Sequence, residues 1–267
     1  MTGIWGVVNV TPDSFSDGGR FLDPARAIAH GLSLRGDGAT VLDVGGESTR
    51  PGAERVPMAE EQARVLDVVA GLAAEGVPVS IDTLNASTAI AAVRAGARIV
   101  NDVSGGLADP EMLEAVAASG ADYVIGHWRG PSDDMYARAE YLRPSREVAA
   151  ELQERVAAAA AAGIAPARII LDPGIGFAKA GAQNWEVLRG LEDIVALGSR
   201  VLVGTSRKRF LAETLQAASA GDVTEARRDL ATAVTSALAA RAGAWAVRVH
   251  DVAATRDALA VVRAWDG

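Results

Sequence analysis

Gly38-Ala39-Thr40-Val41-Leu42-Asp43-Val44-Gly45 is the stretch on which the fold turns: a helix-closing glycine, a short apolar run, then an aspartate. Glycine relieves the left-handed turn that ends a helix, and a brief apolar run bounded by turns is what a strand buried on both faces looks like. Moving outward, the same unit recurs as Gly96-Ala97 before Ile99-Val100, Gly120-Ala121 before Val124-Ile125, and Gly243-Ala244 before Val247. Adding Val7-Val8, Val79-Ile81, Ile169-Leu171 and Val201-Val203 makes eight candidate strands with helical segments between them. Eight such units close into an α/β TIM barrel, (β/α)₈, here expected as a single domain over residues 1–267. A doubly wound open sheet would want Gly-x-Gly-x-x-Gly after its first strand, and none stands there.

The strands end on polar residues: Asn9, Asp43, Asp82, Asn101 and Asp172, joined by Ser206-Arg207-Lys208 and by Arg248-Val249-His250. A parallel barrel opens all of its strand ends on one face, so side chains scattered along the chain meet in one pocket. The pattern is that of an enzyme. Between the strands, Pro57 to Glu75 has apolar residues at helical spacing, and Ser145 precedes strong helix formers through Ala162. Asp222 to Arg241 reads as an extra or extended helix with a capping signal at Asp222-Val223-Thr224-Glu225. The irregular stretches Thr11 to Phe21, Glu47 to Pro57 and Trp128 to Arg143 all follow strands, which makes them lids or substrate loops.

Composition narrows the chemistry. The 49% hydrophobic content with only 4% aromatic favours helices packed on a sheet, and no stretch is long and apolar enough to span a membrane. The N-terminus lacks a charged leader before its apolar run, so a cytoplasmic enzyme is expected. Zero cysteines remove thiolate nucleophiles and Cys-ligated metals. A net charge of -8 argues against non-specific nucleic-acid binding, so an anionic ligand must be met by a local positive cluster.

Such clusters are present. Arg50, on a loop stiffened by Pro51, can fork onto phosphate oxygens. Gly204-Thr205-Ser206-Arg207-Lys208-Arg209 follows strand seven, where barrels often hold phosphate. Arg248 and His250 alternate and so share a face. Asp82, Asn101 and Asp172 would be costly facing inward unless a ligand donates hydrogen bonds to them, as a flat heterocycle with a guanidine-like edge would. Each segment has a plainer alternative as a turn, a helix cap or a solvated charge, and His127 reads as a structural histidine. No two histidines have metal-ligand spacing, but Mg²⁺ held mainly by substrate phosphate and water needs only one side-chain oxygen.

Together these segments resemble the dihydropteroate synthases, in order and nearly end to end: Asn9 to Gly19, Asp43 to Ala53, Ser80-Ile81-Asp82-Thr83, Asn101-Asp102-Val103, Asp172 to Phe177, Ser206-Arg207-Lys208 and Arg248 to Asp251. The resemblance implies a homodimeric barrel that joins 6-hydroxymethyl-7,8-dihydropterin diphosphate to 4-aminobenzoate, releasing diphosphate, with sulfonamides competing for the aminobenzoate site. It implies a pterin pocket of Asp82, Asn101, Asp172 and Lys208 with Arg248 over the ring. It implies a diphosphate site of Asn9, Thr49, Arg50, Arg248 and His250, with Asn9 also touching Mg²⁺. The aminobenzoate site falls on Phe15, Thr49, Arg50, Pro51, Phe177, Ser206 and Lys208, and Asp17 helps to organise the closed loops.

One position departs from the family pattern. Members commonly carry Met before the strand-five histidine, whereas here the residue is Gly126, a loss of roughly 1 kcal/mol of packing unless Trp128 or another group fills the gap. Leu84-Asn85 is also unusual and reads as a plain helix start. The rival readings are a pterin-dependent methyltransferase, which has no need of Thr49-Arg50-Pro51 or Ser206-Arg207-Lys208, and a non-catalytic pterin-binding paralogue. Product formation separates the three.

Overall fold

The computed structural model describes residues 1–11, 23–47, 55–130, 138–219 and 221–267. Its strands are β1 (Gly3–Asn9), β2 (Val41–Gly45), β3 (Val79–Asp82), β4 (Ile99–Asp102), β5 (Asp122–Gly126), β6 (Ile169–Asp172), β7 (Arg200–Val203) and β8 (Ala246–Val249). All pairings are parallel, neighbours follow chain order, and β1 closes the barrel against β8.

Side chains alternate across a strand, and this barrel uses its two sets differently. The outward set, including Val8, Leu42, Val44, Ile81, Tyr123, Leu171, Val203 and Val249, packs under the helices in one apolar layer. The inward set begins with Trp5, Val41, Ile99, Val124, Ile170, Leu202 and Ala246, a separate apolar plug inside the barrel. Two residues further along the same faces stand Asp43, Asn101, Gly126, Asp172, Gly204 and Arg248. The interior is thus sealed by hydrocarbon at one end and polar at the other, where the strands finish.

The helices are α1 (Pro24–Asp37), α2 (Met58–Ala74), α3 (Ala86–Arg94), α4 (Met112–Ser119), α5 (Pro144–Ala161), α6 (Gly181–Arg189), α7 (Leu191–Val195), α8 (Arg209–Ala218), α9 (Glu225–Arg241) and α10 (Val252–Asp266). The expected closing glycines hold: Gly38 and Gly96 both take φ of 116° at helix ends. The extra helix expected over Asp222 to Arg241 is α9, capped by Thr224 through the N–H of Arg227 at 3.4 Å, and α8 before it buries Phe210 and Leu211. One detail differs from the sequence reading. α5 starts on Pro144, and Ser145 donates to Asp193 at 2.8 Å. No helix among the described residues is long and apolar enough to cross a membrane.

Candidate active site

The polar end of the barrel is organised by Arg248. Its guanidinium lies 3.2 Å from Asp172 and 3.5 Å from Asp43, while Asn101 donates to Asp43 at 3.0 Å. Gly204 permits this placement: a Cβ there would stand 3.3 Å from the guanidinium. Asp82 ends β3 in register with Gly45 and Asn101, so it enters the same cluster between the strands that carry Asp43 and Asn101.

Three carboxylates, Asp43, Asp82 and Asp172, therefore face two cations, Arg248 and Lys208; Asp43, Asp172 and Arg248 are buried, and Asp82 and Lys208 are half-buried at the mouth. Burial first, and then the charge of Asp43, raise the Asp82 carboxyl well above its ordinary range. Asp43 is raised mainly by burial, with Arg248 opposing the shift. Burial pulls the Lys208 ammonium down to about 7, against the attraction of Asp172. Asp43 Oδ1, Ser80 Oγ and Arg248 Nη1 are buried without a well-formed hydrogen bond among the described residues, although Ser80 and Arg248 both act on the Asp43 carboxylate. Unpaired donors and acceptors are costly in a closed interior, so such a floor suits a polar, planar ligand that supplies the missing bonds.

At the rim, Lys208 Nζ donates to the carbonyl of Ile175 and stands 4.6 Å from the centre of the Phe177 ring. Gly176 has φ of 83°, and a Cβ on it would meet Lys208 Cδ at 2.8 Å, so glycine is required twice over. The Ser206 hydroxyl accepts from the His250 N–H at 3.1 Å and lies 2.7 Å from His250 Nδ1. Arg207, between Ser206 and Lys208, takes φ of 57° and turns away to fork onto Asp229 at 2.7 and 2.9 Å. The Ser-Arg-Lys turn thus presents its first and third residues to the pocket and gives the middle one to α9.

The structure gathers Asp82, Asn101, Asp172, Lys208 and Arg248 into one cluster, with Phe177, Ser206 and His250 on its rim. Asn9 ends β1 opposite Gly45 at the same mouth. Phe15, Asp17, Thr49, Arg50 and Pro51 lie outside the described residues. Asp43 is an addition: the sequence marks it as a strand end, and only the barrel shows it shared between Arg248 and Asn101. Glu61 is another, a buried α2 carboxylate that accepts from Thr83, Asn85 and Thr88, each at 2.7 Å, and so fixes the turn after Asp82. Leu84 is more than a helix start, since it packs with Val103 and Phe177 at the mouth.

The family model for pterin binding enzymes matches residues 5–250. The dihydropteroate synthase of Mycobacterium leprae (strain TN) is 52% identical over 261 residues, which cover 97% of this chain and 92% of that protein. The chain belongs to the dihydropteroate synthase family. Among solved structures, the Xanthomonas albilineans dihydropteroate synthase with 4-aminobenzoic acid matches with a TM-score of 0.91 at 43% identity, covering 100% of this chain and 93% of that one. The dihydropteroate synthase of the same organism in complex with 7,8-dihydropteroate matches with a TM-score of 0.88 at 40% identity, covering 100% and 94%.

For a dihydropteroate synthase, Gly126 is then the position to account for. It leaves no gap for Trp128 to fill: a Cβ at Gly126 would fall 2.5 Å from the carbonyl oxygen and 2.6 Å from the Cα of Val103. The chain after β4 stands in the space that a side chain would need.

Proposed function

We propose that this protein condenses 6-hydroxymethyl-7,8-dihydropterin diphosphate with 4-aminobenzoate to form 7,8-dihydropteroate and diphosphate. The observation that carries the reading is the Arg248 guanidinium held between Asp172 and Asp43, with Asp82 and Lys208 beside it, in a chain of this family. The pterin ring rests on the acidic floor, its guanidine-like edge donating to Asp82 and Asp172, with Asn101 beside it and Lys208 over its carbonyl side. The diphosphate points outward to Asn9, Arg248, His250 and Arg50.

Breaking the methylene carbon–oxygen bond sends the electron pair to diphosphate and leaves positive charge spread into the pterin. Carboxylates at the ring and cations at the leaving group stabilise both halves of that separation. The neutral arylamine, held by Phe177, Ser206, Thr49, Arg50, Pro51 and Phe15 after Asp17 helps close its loop, captures the carbon directly. Its proton passes to the departing diphosphate. The donor set fits Mg²⁺ only as a guest of the diphosphate: among the described residues no three His, Asp or Glu side chains are placed to hold a metal ion together, and Asn9 offers one amide oxygen at the rim. Bound there, the ion would neutralise charge on the leaving group.

The whole chain, 1–267, acts as one cytoplasmic pterin-binding unit, and its partner is a second copy of itself. Leu230, Val234 and Leu238 form an exposed stripe on α9, continued by Val261 and Trp265 of α10, which is 79% exposed. An apolar face of this kind, on helices that pack against each other, suits a two-fold contact.

Incubation with the pterin diphosphate, 4-aminobenzoate and Mg²⁺ tests the reading. Dihydropteroate and diphosphate are expected in equal amounts, with sulfonamides competing against 4-aminobenzoate and chelation of Mg²⁺ slowing release. Binding without product would favour a non-catalytic paralogue, and a trapped covalent adduct or ping-pong kinetics would overturn direct capture.

A further inference from the structure

Behind the pocket wall lies a charged network that the proposed chemistry does not use, buried at Lys179 and His127 and half-buried at Glu151, Glu147 and Arg129. Lys179, 1% exposed, follows Ala178, whose φ of 48° is unusual for a residue with a side chain and turns the lysine inward. Its ammonium lies 2.9 Å from the Gly174 carbonyl, 3.0 Å from the Phe177 carbonyl and 2.9 Å from His127 Nδ1. On the far side of the ring, His127 Nε2 is 2.9 Å from Glu151, which Arg129 also grips. Arg129 reaches Glu147 as well, at 3.3 Å, and stacks 3.7 Å over Tyr141.

Hydrogen counting fixes the state of this chain. Burial pulls the Lys179 ammonium well below its ordinary range, but its three N–H groups face three acceptors, and in that charged form His127 Nδ1 accepts. The histidine then carries its hydrogen on Nε2, where Glu151 accepts it. In this form Lys179 and Arg129 balance Glu151 and Glu147. Burial and the Lys179 charge hold the imidazole down to about 4, in keeping with a neutral ring. The two carbonyls held by Lys179 bracket Ile175 and Gly176. Ile175 accepts from Lys208, Gly176 packs against the Lys208 stem, and Phe177 lies under its ammonium.

We infer that Lys179 is a positioning residue for the arylamine half of the site: clamped to His127 and Glu151, it holds the 174–177 loop so that Phe177 and Lys208 meet the second substrate in register. The inference rests on the synthase reading for its substrate, but not for the clamp itself. Asn101 sits on β4, clear of this loop, whereas Asp172 accepts from the Gly174 N–H at 2.8 Å and Lys208 also serves the pterin, so the pterin half should feel the loss of the clamp, but less than the arylamine half.

Lys179→Met keeps the length of the side chain and removes its donors. The expected result is a tenfold or larger rise in KM for 4-aminobenzoate, with the affinity for the pterin diphosphate alone, followed by calorimetry, weakened by a clearly smaller factor of about threefold. Equal losses for both substrates would reduce Lys179 to a general structural role, and no change in either would overturn the inference. Nitrogen NMR of the wild-type protein gives a second test that needs no variant. His127 should show an unprotonated Nδ1 and a protonated Nε2, with no titration between pH 5 and 8, and an imidazolium or the opposite tautomer would sink the clamp. If the wild-type protein makes no dihydropteroate, the synthase reading fails, while the NMR result still decides the clamp.

Discussion

The Val103 backbone occupies the place where a side chain on Gly126 would begin, 2.6 Å from its Cα to the missing Cβ. Backbone cannot retreat as a flexible side chain can, so even one carbon at residue 126 must push the chain after β4 aside. Gly126→Ala and Gly126→Met should each lower stability by about 1–3 kcal/mol, the usual cost of overpacking. Urea unfolding measures it, and a Met variant as stable as the parent would show that Val103 moves freely.

Asp172 and Lys208 face the same pocket, one on β6 and the other after β7. Removing either charge takes away stabilisation that is wanted most when the carbon–oxygen bond breaks. Asp172→Ala and Lys208→Ala should each cut turnover by about 10²–10³-fold or more. Diphosphate release, read beside far-UV circular dichroism to confirm a folded chain, is the measurement. Near-parental rates in either variant would remove that residue from the mechanism.

Lys208 titrates at about 7 because burial opposes its charge. As a cation it serves the site below that pH, so kcat/KM for the pterin diphosphate should fall as pH rises through about 7. Stability moves the other way. The folded value lies below the unfolded 10.5, so the lysine opposes folding fully below about 7 and that opposition fades as pH climbs to 10.5. A kcat/KM profile flat to pH 9 would mean that the charge on Lys208 is not needed.

The stripe of Leu230, Val234 and Leu238 should mark the contact between two copies. Val234→Glu and Leu238→Glu place like charges across a two-fold face, and sedimentation should show monomers where the parent is a dimer. A parent that sediments as a monomer, or variants that stay dimeric, would remove the stripe from the interface.

The barrel is legible in the chain because its strands are buried on both faces, which leaves short apolar runs between helix-closing glycines, as at Gly38 and Gly96. The polar ends are legible for the same reason: aspartate has few other grounds to interrupt Val41-Leu42 or Ile170-Leu171. What one dimension hides is partnership. Asp43 looks like any other strand end until Arg248 arrives from two hundred residues away, roughly speaking, across the closed barrel. Lys179 sits in a loop where lysines are usually solvated, and only the inward turn at Ala178 makes it interior. The close approach of Val103 leaves no signal beyond the glycine itself.

One consequence follows from the outward turn of Arg207. Its carboxylate partners, Glu225 and Asp229, are on α9, the helix whose other side carries the apolar stripe. The same rod that would lie between two protomers is tethered one peptide away from Lys208. Quaternary structure and reactivity would then share a mechanical link, and diluting the protein until its copies part should be felt at the ammonium that the reaction depends on.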